Sequence, residues 1–359
     1  IDKLAVSSHS LVYRLEVMNL HFRLHCSFST IPLANHKQPM NRVPLIIAVL
    51  LLCATTVCAQ EVTVKLDVKK TWIETPMGKP VIDRGSEGSW DFTAVDNPYV
   101  FVENNRYYCF FEAQDTKESN WHERIGLAIS EDGVHWKKQA NNPIVDVGAS
   151  GSWDGAVAKL PAAVIKHDSR YYLFYSGRDV HDTKMTSKNI GVVIATELTG
   201  QWIKSARNPL LQGRKDKWDT HVTTIPTNIF KRDNRFWLGY RGMKGLYFDQ
   251  GLGVASSDNL LEWQRATDES PVISIAEEIA SMSITKIGNA YIGISQPMKI
   301  ENRRYWNSTD LLEWTKGSPV LFKSSGKVDT ISNPFLVRGQ WNVLYEQDDR
   351  IYQAVLSNN

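Results

Sequence analysis

Asp91, Asp154 and Asp219 each follow a tryptophan, and each precedes a proline by seven residues, at Pro98, Pro161 and Pro226. Asp96 adds a carboxylate that the other two copies lack. Carboxyl groups brought together can do acid–base work: one, kept protonated by burial or by a like charge, donates a proton, while an ionised partner acts as base or nucleophile. Asp96, which breaks the repeat, is the first choice for base or nucleophile. Asp91, Asp154 and Asp219 stand open between catalysis and a structural role, because a carboxylate at a strand start can also accept backbone N–H bonds. The proton donor is sought in Glu278, which with Glu277 could instead be a solvated acidic pair, or in His221, whose imidazole a neighbouring carboxylate can charge. Arg124, Arg178 and Arg241 can hold an acidic group through two parallel N–H bonds. Trp121, in a polar stretch, offers a stacking platform, and Glu112 is a further candidate for substrate contact.

The elements that would carry these side chains repeat. After each proline come an apolar run, a polar turn and an aromatic run, as in Arg106-Tyr107-Tyr108, Arg170-Tyr171-Tyr172 and Arg235-Phe236-Trp237. Weaker copies begin near Ser283 and Pro334, which makes five. A second element alternates with the first: Ile125 to Ser130 runs through Glu131-Asp132-Gly133 to Trp136, and Leu252 to Ser257 runs through Asp258-Asn259 to Trp263, with weaker copies ending at Trp202 and Trp314. Each is a strand, a turn and a return strand opened by tryptophan. Four short strands per unit, with no sustained helical period, predict an all-β chain folded as a five-bladed β-propeller of four-stranded blades. The last unit lacks its tryptophan strand, and Thr71-Trp72-Ile73-Glu74 is such a strand without a hairpin before it. Pairing the two closes the ring and removes an exposed edge.

Strand direction then sorts the candidates. If the first strand of a blade leaves the pocket face and the second returns to it, residues before each proline, after each aromatic run and before each third strand meet on that face. Besides the residues already named, this gathers His122, Glu123, Asp179, Asp249, Arg303, Arg304, Asp329, Glu346 and Arg350.

Units of the form Gly-Ser-Trp-Asp, then Pro, then Tyr-Tyr-Leu-Phe-Tyr-Ser-Gly, then Ile-Gly-Leu-Ala-Ile-Ser-Glu-Asp-Gly-Val-His-Trp resemble the five-bladed propellers of the arabinanase, levansucrase and invertase superfamily. That superfamily includes glycoside hydrolase families 32, 43, 68, 117 and 130, and the likeness runs from Trp72 to Leu356. It implies a pocket at one end of the central channel and a carboxylate acid/base pair acting on a glycosidic bond. Families 32 and 43 place an Asp directly before the first-blade proline, another before the second, and a Glu two residues before the third. This chain has Asn97, Leu160 and Thr224 at those places, with Lys159 beside Leu160. The expected function is a glycoside hydrolase acting on plant or algal polysaccharides or oligosaccharides. The alternatives are a non-catalytic carbohydrate-binding propeller and a glycoside phosphorylase.

A formal net charge of +2 without a long basic run points away from nucleic acid and anionic membranes as partners. Met40-Asn41-Arg42, the apolar run Leu45 to Leu52 and the small residues ending at Ala59 have the parts of a secretory signal peptide. The expected organisation is therefore an upstream non-structural segment at 1–39, a signal peptide at 40–59 and one propeller domain at 60–359, secreted or periplasmic and free of the membrane once cleaved. Cleavage leaves Cys109 as the one cysteine, a buried inert thiol by its surroundings. No spacing calls for a zinc site or a phosphate loop, and no cofactor is required. A Ca²⁺ in the central channel, held by scattered oxygens, would leave no signature and stays open.

Overall fold

The computed structural model describes residues 16–17, 20–21, 65–116, 122–179, 189–244, 250–274, 279–297 and 303–357. The chain divides into two units, Ile1–Val62 and Thr63–Asn359. In the first, the strands Glu16–Val17 and Leu20–His21 pair antiparallel. The proposed signal peptide lies outside the described residues.

The second unit holds five sheets, antiparallel except where Leu321–Lys323 pairs parallel with Thr71–Glu74, and, among the described residues, no helix. Blade one is built from Ala94–Glu103, Arg106–Gln114, Arg124–Ser130 and Lys137–Lys138. Blade two uses Val157–His167, Arg170–Arg178, Asn189–Ala195 and Ile203–Lys204. In blade three the first strand is split into His221–Thr224 and Phe230–Arg232, followed by Arg235–Met243, Gln250–Ser257 and Gln264–Arg265. Blade four comprises Ile279–Ile287, Ala290–Pro297, Arg304–Ser308 and Thr315–Pro319. Blade five contributes Phe335–Val337, Gln340–Gln347 and Arg350–Ser357, and Thr71–Glu74 pairs antiparallel onto the last of these as its fourth strand. The ring therefore closes through the N-terminal tryptophan strand, as the repeat predicts.

Local chemistry explains why the units are alike. Two-residue turns at Asn104-Asn105, Asp168-Ser169 and Asp233-Asn234 have both φ angles positive, the hairpin geometry whose twist matches the flanking strands. In blades one, three and four a Ser-x-Asp/Asn turn before the tryptophan strand ties itself off: Asp132 Oδ1 accepts from Val134 N and His135 N at 2.9 and 2.8 Å, and Asn259 and Asp310 repeat the pattern. The tryptophan of each Trp-Asp pair lies over its own sheet, where glycine is required. A Cβ on Gly177 would run into the Trp153 ring, and one on Gly242 into Trp218.

The core is divided among the blade interfaces. Five hydrophobic clusters bridge blades one and two, two and three, three and four, four and five, and five and one. Five interfaces for five blades mean that each sheet is covered on both faces. Close to the axis, Tyr99 Oη of blade one donates to Asn228 Oδ1 of blade three at 2.8 Å and accepts from Val164 N of blade two at 3.2 Å. Cys109 is fully buried in blade one, and burial raises its thiol pKa. Its burial is what its aromatic surroundings imply.

Candidate active site

The first strand of each blade has a free edge toward the channel, so a proline there removes no ladder bond. Around Pro98 and Pro161 the ladder bulges, between Asp96 and Tyr99 and between Lys159 and Ala162. At Pro226 the strand is interrupted outright. Asn97 and Leu160 have φ of 45° and 51°, a region that residues with a Cβ seldom occupy. The bulges turn the residues before each proline out of the sheet and into the channel.

There they form a pocket of about 580 Å³, its mouth included. First strands or the loops leading into them supply Asn97, Leu160 and Pro161, Thr224 to Pro226, Ser281, and Asp329 with Thr330, one contribution from each blade. Second strands add Arg241 and Gln296. The places where families 32 and 43 carry carboxylates thus do face the pocket, but with an amide, an apolar and a hydroxyl side chain.

Carboxyl groups of blades five and one gather on one side, where blade two adds Lys159 and the Leu160 N–H. Asp96 and Glu112 are register partners on neighbouring strands, and the Asn97 amide nitrogen reaches both, at 3.4 and 3.2 Å. Glu112 Oε2 also accepts from Leu160 N at 3.0 Å. Lys159 Nζ lies 2.8 Å from Glu123 Oε2, with both side chains largely buried. In blade five, Thr330 Oγ1 donates to Glu346 Oε2 at 2.9 Å, and Lys327 Nζ lies 2.5 Å from Asp329 Oδ1. Arg303, itself buried, donates to the carbonyls of Val328 and Asp329 at 3.1 Å each and so fixes the backbone that presents Asp329.

Crowding sets the proton inventory. Burial, and then repulsion from Glu112, pushes the Asp96 carboxyl well above the usual range. Burial and the Glu123 charge raise Glu112 to about 8, against the pull of Lys159 and the Leu160 N–H. Burial raises Glu346 to about 7 despite its bond from Thr330. Burial alone would lower Lys159, but Glu123 and Glu112 outweigh it and raise its pKa. At neutral pH this cluster holds protons that isolated carboxylates would have lost. The surroundings of Asp96 accordingly suit a proton donor, where the sequence suggested a base or nucleophile.

The remaining candidates fall elsewhere. Asp96, Glu112 and Glu346 stand behind lining residues, bonded to Asn97 and Thr330, without lining the pocket themselves, and Asp91, Asp154 and Asp219 neither line it nor bond to those two residues. Each meets a cation on the fourth strand of its own blade: Lys138 at 2.5 Å, Lys204 at 2.6 Å and Arg265 at 2.6 Å. Asp154 and Asp219 also accept from Tyr175 Oη and Tyr240 Oη, at 2.7 and 3.2 Å. The structural half of the open choice is what this geometry supports. His221 is buried at the start of blade three's first strand, its Nδ1 3.0 Å from Thr220 Oγ1, and it does not line the pocket. Arg124 pairs with Asp115 and Asp146, at 2.6 and 3.4 Å. Arg178 ends blade two's second strand, while Arg241 reaches the pocket and donates to Thr223 Oγ1 at 3.0 Å. Trp121 and Glu278 lie outside the described residues. Among the described residues no group of three or more His, Cys, Asp and Glu is arranged to hold a metal ion.

Strand direction alone already gathered Glu123, Asp329 and Glu346, but without roles. Lys159 was legible only as a departure from the family pattern. Its signal was available: a lysine within Val157 to Val164, a strand otherwise apolar, must find a carboxylate to be buried.

With the geometry in place, comparison with known proteins is informative. The family model described as Glycosyl hydrolases family 32 N-terminal domain matches residues 94–273, from blade one's first strand to the end of blade three. Among curated proteins the chain is similar to a beta-1,2-mannobiose phosphorylase of Thermoanaerobacter sp. (strain X514), 26% identical over 112 residues. The match spans 28% of this chain and only 35% of that protein. Among solved structures, a glycosyl hydrolase from Bacteroides ovatus superposes with a TM-score of 0.62 at 15% identity, covering 81% of this chain and 95% of the other. A family 117 glycoside hydrolase of the marine bacterium Zobellia galactanivorans gives 0.58 at 15% identity, covering 80% and 90%. At such identities the likeness to solved structures is one of fold.

Proposed function

The chain belongs to the glycosyl hydrolase family defined by the family 32 N-terminal domain, and on that premise we propose that it hydrolyses a glycosidic bond in plant or algal polysaccharides or their oligosaccharides. The observation that carries the proposal is the cluster of Asp96, Glu112 and Glu346 beside a pocket to which all five blades contribute. In this scheme the Asp96 carboxyl, behind Asn97 of the lining and held beside Glu112 in the resting protein, turns into the pocket to give its proton to the departing glycosidic oxygen. Asp329, lining the pocket from the adjacent blade, takes the proton of the attacking water. Thr224, Ser281 and Gln296 supply uncharged donors and acceptors for sugar hydroxyls on the opposite wall.

Phosphorolysis is the second reading, favoured by Arg241 in the pocket lining and by the phosphorylase among the relatives. There the attacking oxygen belongs to inorganic phosphate held by Arg241, and Asp96 still protonates the leaving group. One assay separates the readings. The purified protein is incubated with arabinan, xylan, fructan and red-algal oligosaccharides, with and without phosphate. Reducing sugar released in phosphate-free buffer supports hydrolysis; a sugar phosphate formed only with phosphate selects the second reading. Saturable binding without product under either condition would overturn both in favour of a binding protein. We further propose export, with cleavage after Ala59; N-terminal sequencing of the exported protein tests it, and a retained 40–59 segment refutes it.

A further inference from the structure

The face opposite the pocket carries a second concavity. Blade five's second strand runs from Gln340 to Gln347, with Glu346 at the pocket end, so Trp341 lies at the far end, about 15–20 Å away at the usual rise per residue. Val100 to Val102 of blade one and Thr285 of blade four likewise follow their pocket residues toward that far face. Two open hollows of about 710 and 720 Å³, the solvent at their mouths included, lie there, and Trp341 lines both. The first is largely apolar, with Phe101, Leu336 and the amides of Asn228 and Asn333 in its wall. The second has Lys65, Lys70 and Arg338 against one acid, Asp67, among its described lining residues. Asp67 Oδ1 already accepts from Lys69 N at 3.0 Å.

We infer that this face is a second carbohydrate-binding site, separate from the cleavage pocket, which holds an anionic polysaccharide chain. Lys65 and Arg338, facing the hollow with Asp67 as the acid among its described lining residues, favour ligand groups with negative charge, and uronate carboxylates and sulfate esters share that chemistry. The apolar wall of the first hollow suits the hydrophobic face of a pyranose ring, and the asparagines its hydroxyls. A polymer held here would stay with the protein while its ends are sampled at the other face. The choice of a carbohydrate as occupant rests on the proposed function.

The test measures retention of the whole protein on immobilised polygalacturonate, sulfated galactan and neutral xylan, at low and high salt. A Lys65→Ala/Lys70→Ala/Arg338→Ala variant is run beside it, and phosphatidylglycerol vesicles serve as a non-carbohydrate polyanion. Expected are salt-sensitive binding to one or both acidic polymers, little to xylan, and roughly tenfold weaker binding by the variant. Its turnover of short oligosaccharides should be unchanged. Whichever acidic polymer is retained identifies the ligand group as uronate or sulfate. Equal binding by protein and variant overturns the inference, as does equal binding to vesicles and polymer. Turnover of short substrates without polymer binding sinks this site alone; cation-dependent polymer binding without any turnover sinks the catalytic proposal and leaves the site standing.

Discussion

Asp91, Asp154 and Asp219 each meet a lysine or arginine from the outer strand of their own blade, whereas Asp96, Glu112 and Glu123 crowd around the single Lys159. Both regions bury carboxylates, yet the balance of charge differs. At the blade corners each carboxylate has its own cation and serves to tie the first strand to the fourth. At the pocket the carboxyl groups outnumber the cation, so protons must make up the difference. The same residue type is neutralised by cations at the corners and left short of them at the pocket, the setting in which the proposed acid–base chemistry would take place.

The largest expected contrast comes from substituting one residue on each side. Asp96→Asn removes the proposed donor and should lower kcat by about 10²–10⁴-fold with little change in melting temperature. Asp219→Asn removes a fully buried charge shared by Arg214, Arg265 and Tyr240. That loss should cost about 3–5 kcal/mol of stability, with turnover near normal well below the melting point. Rates and melting curves measured on both proteins decide the matter. A dead but stable Asp219→Asn would erase the distinction between corner and pocket.

The pH dependence of stability sharpens the comparison next. A carboxyl whose pKa is higher in the folded state than in the unfolded chain holds its proton more tightly when folded, so raising the pH between the two values favours unfolding. For Glu112 the contribution is whole below its ordinary value of 4.5 and is lost as pH rises through about 8. Glu112→Gln carries no titrating proton and should flatten the fall in melting temperature between pH 5 and pH 8.5. Parallel curves for the two proteins would show that Glu112 titrates normally in the fold.

The same contrast explains what could be read in advance. Corner chemistry repeats, so it is visible: Trp136-Lys137-Lys138, Trp202-Ile203-Lys204 and Trp263-Gln264-Arg265 place a cation two residues after each tryptophan, in phase with the Trp-Asp pairs. The five blades, their turns and the N-terminal closing strand were legible for that reason. Pocket chemistry depends on residues that occur once and meet only after closure, such as Glu346 near Asp96, some 250 positions apart in sequence. Spacing cannot reveal that Asn97 faces the pocket while Asp96 turns toward Glu112. That outcome follows from the bulge before Pro98, which shifts the register by a local distortion with no periodic signature.

The smallest effect separates the two lysines. Lys204 pairs with Asp154 at the corner, and Lys204→Met leaves that carboxylate with the hydroxyls of Tyr175 and Ser152. A loss of roughly 1–2 kcal/mol is expected, with the pH–activity profile unmoved, because nothing that titrates in the pocket has lost a neighbour. Lys159 acts on several groups at once, since its charge opposes the proton affinity of both Asp96 and Glu112. Removing it in Lys159→Met should let these carboxyls hold their protons to higher pH, moving the alkaline limb of the activity profile upward by about one unit. A merely structural lysine would change stability without moving that limb. Profiles of kcat against pH for both variants therefore test whether Lys159 belongs to the proton inventory of the pocket, and a shift in the Lys204 variant alone would reverse the assignment.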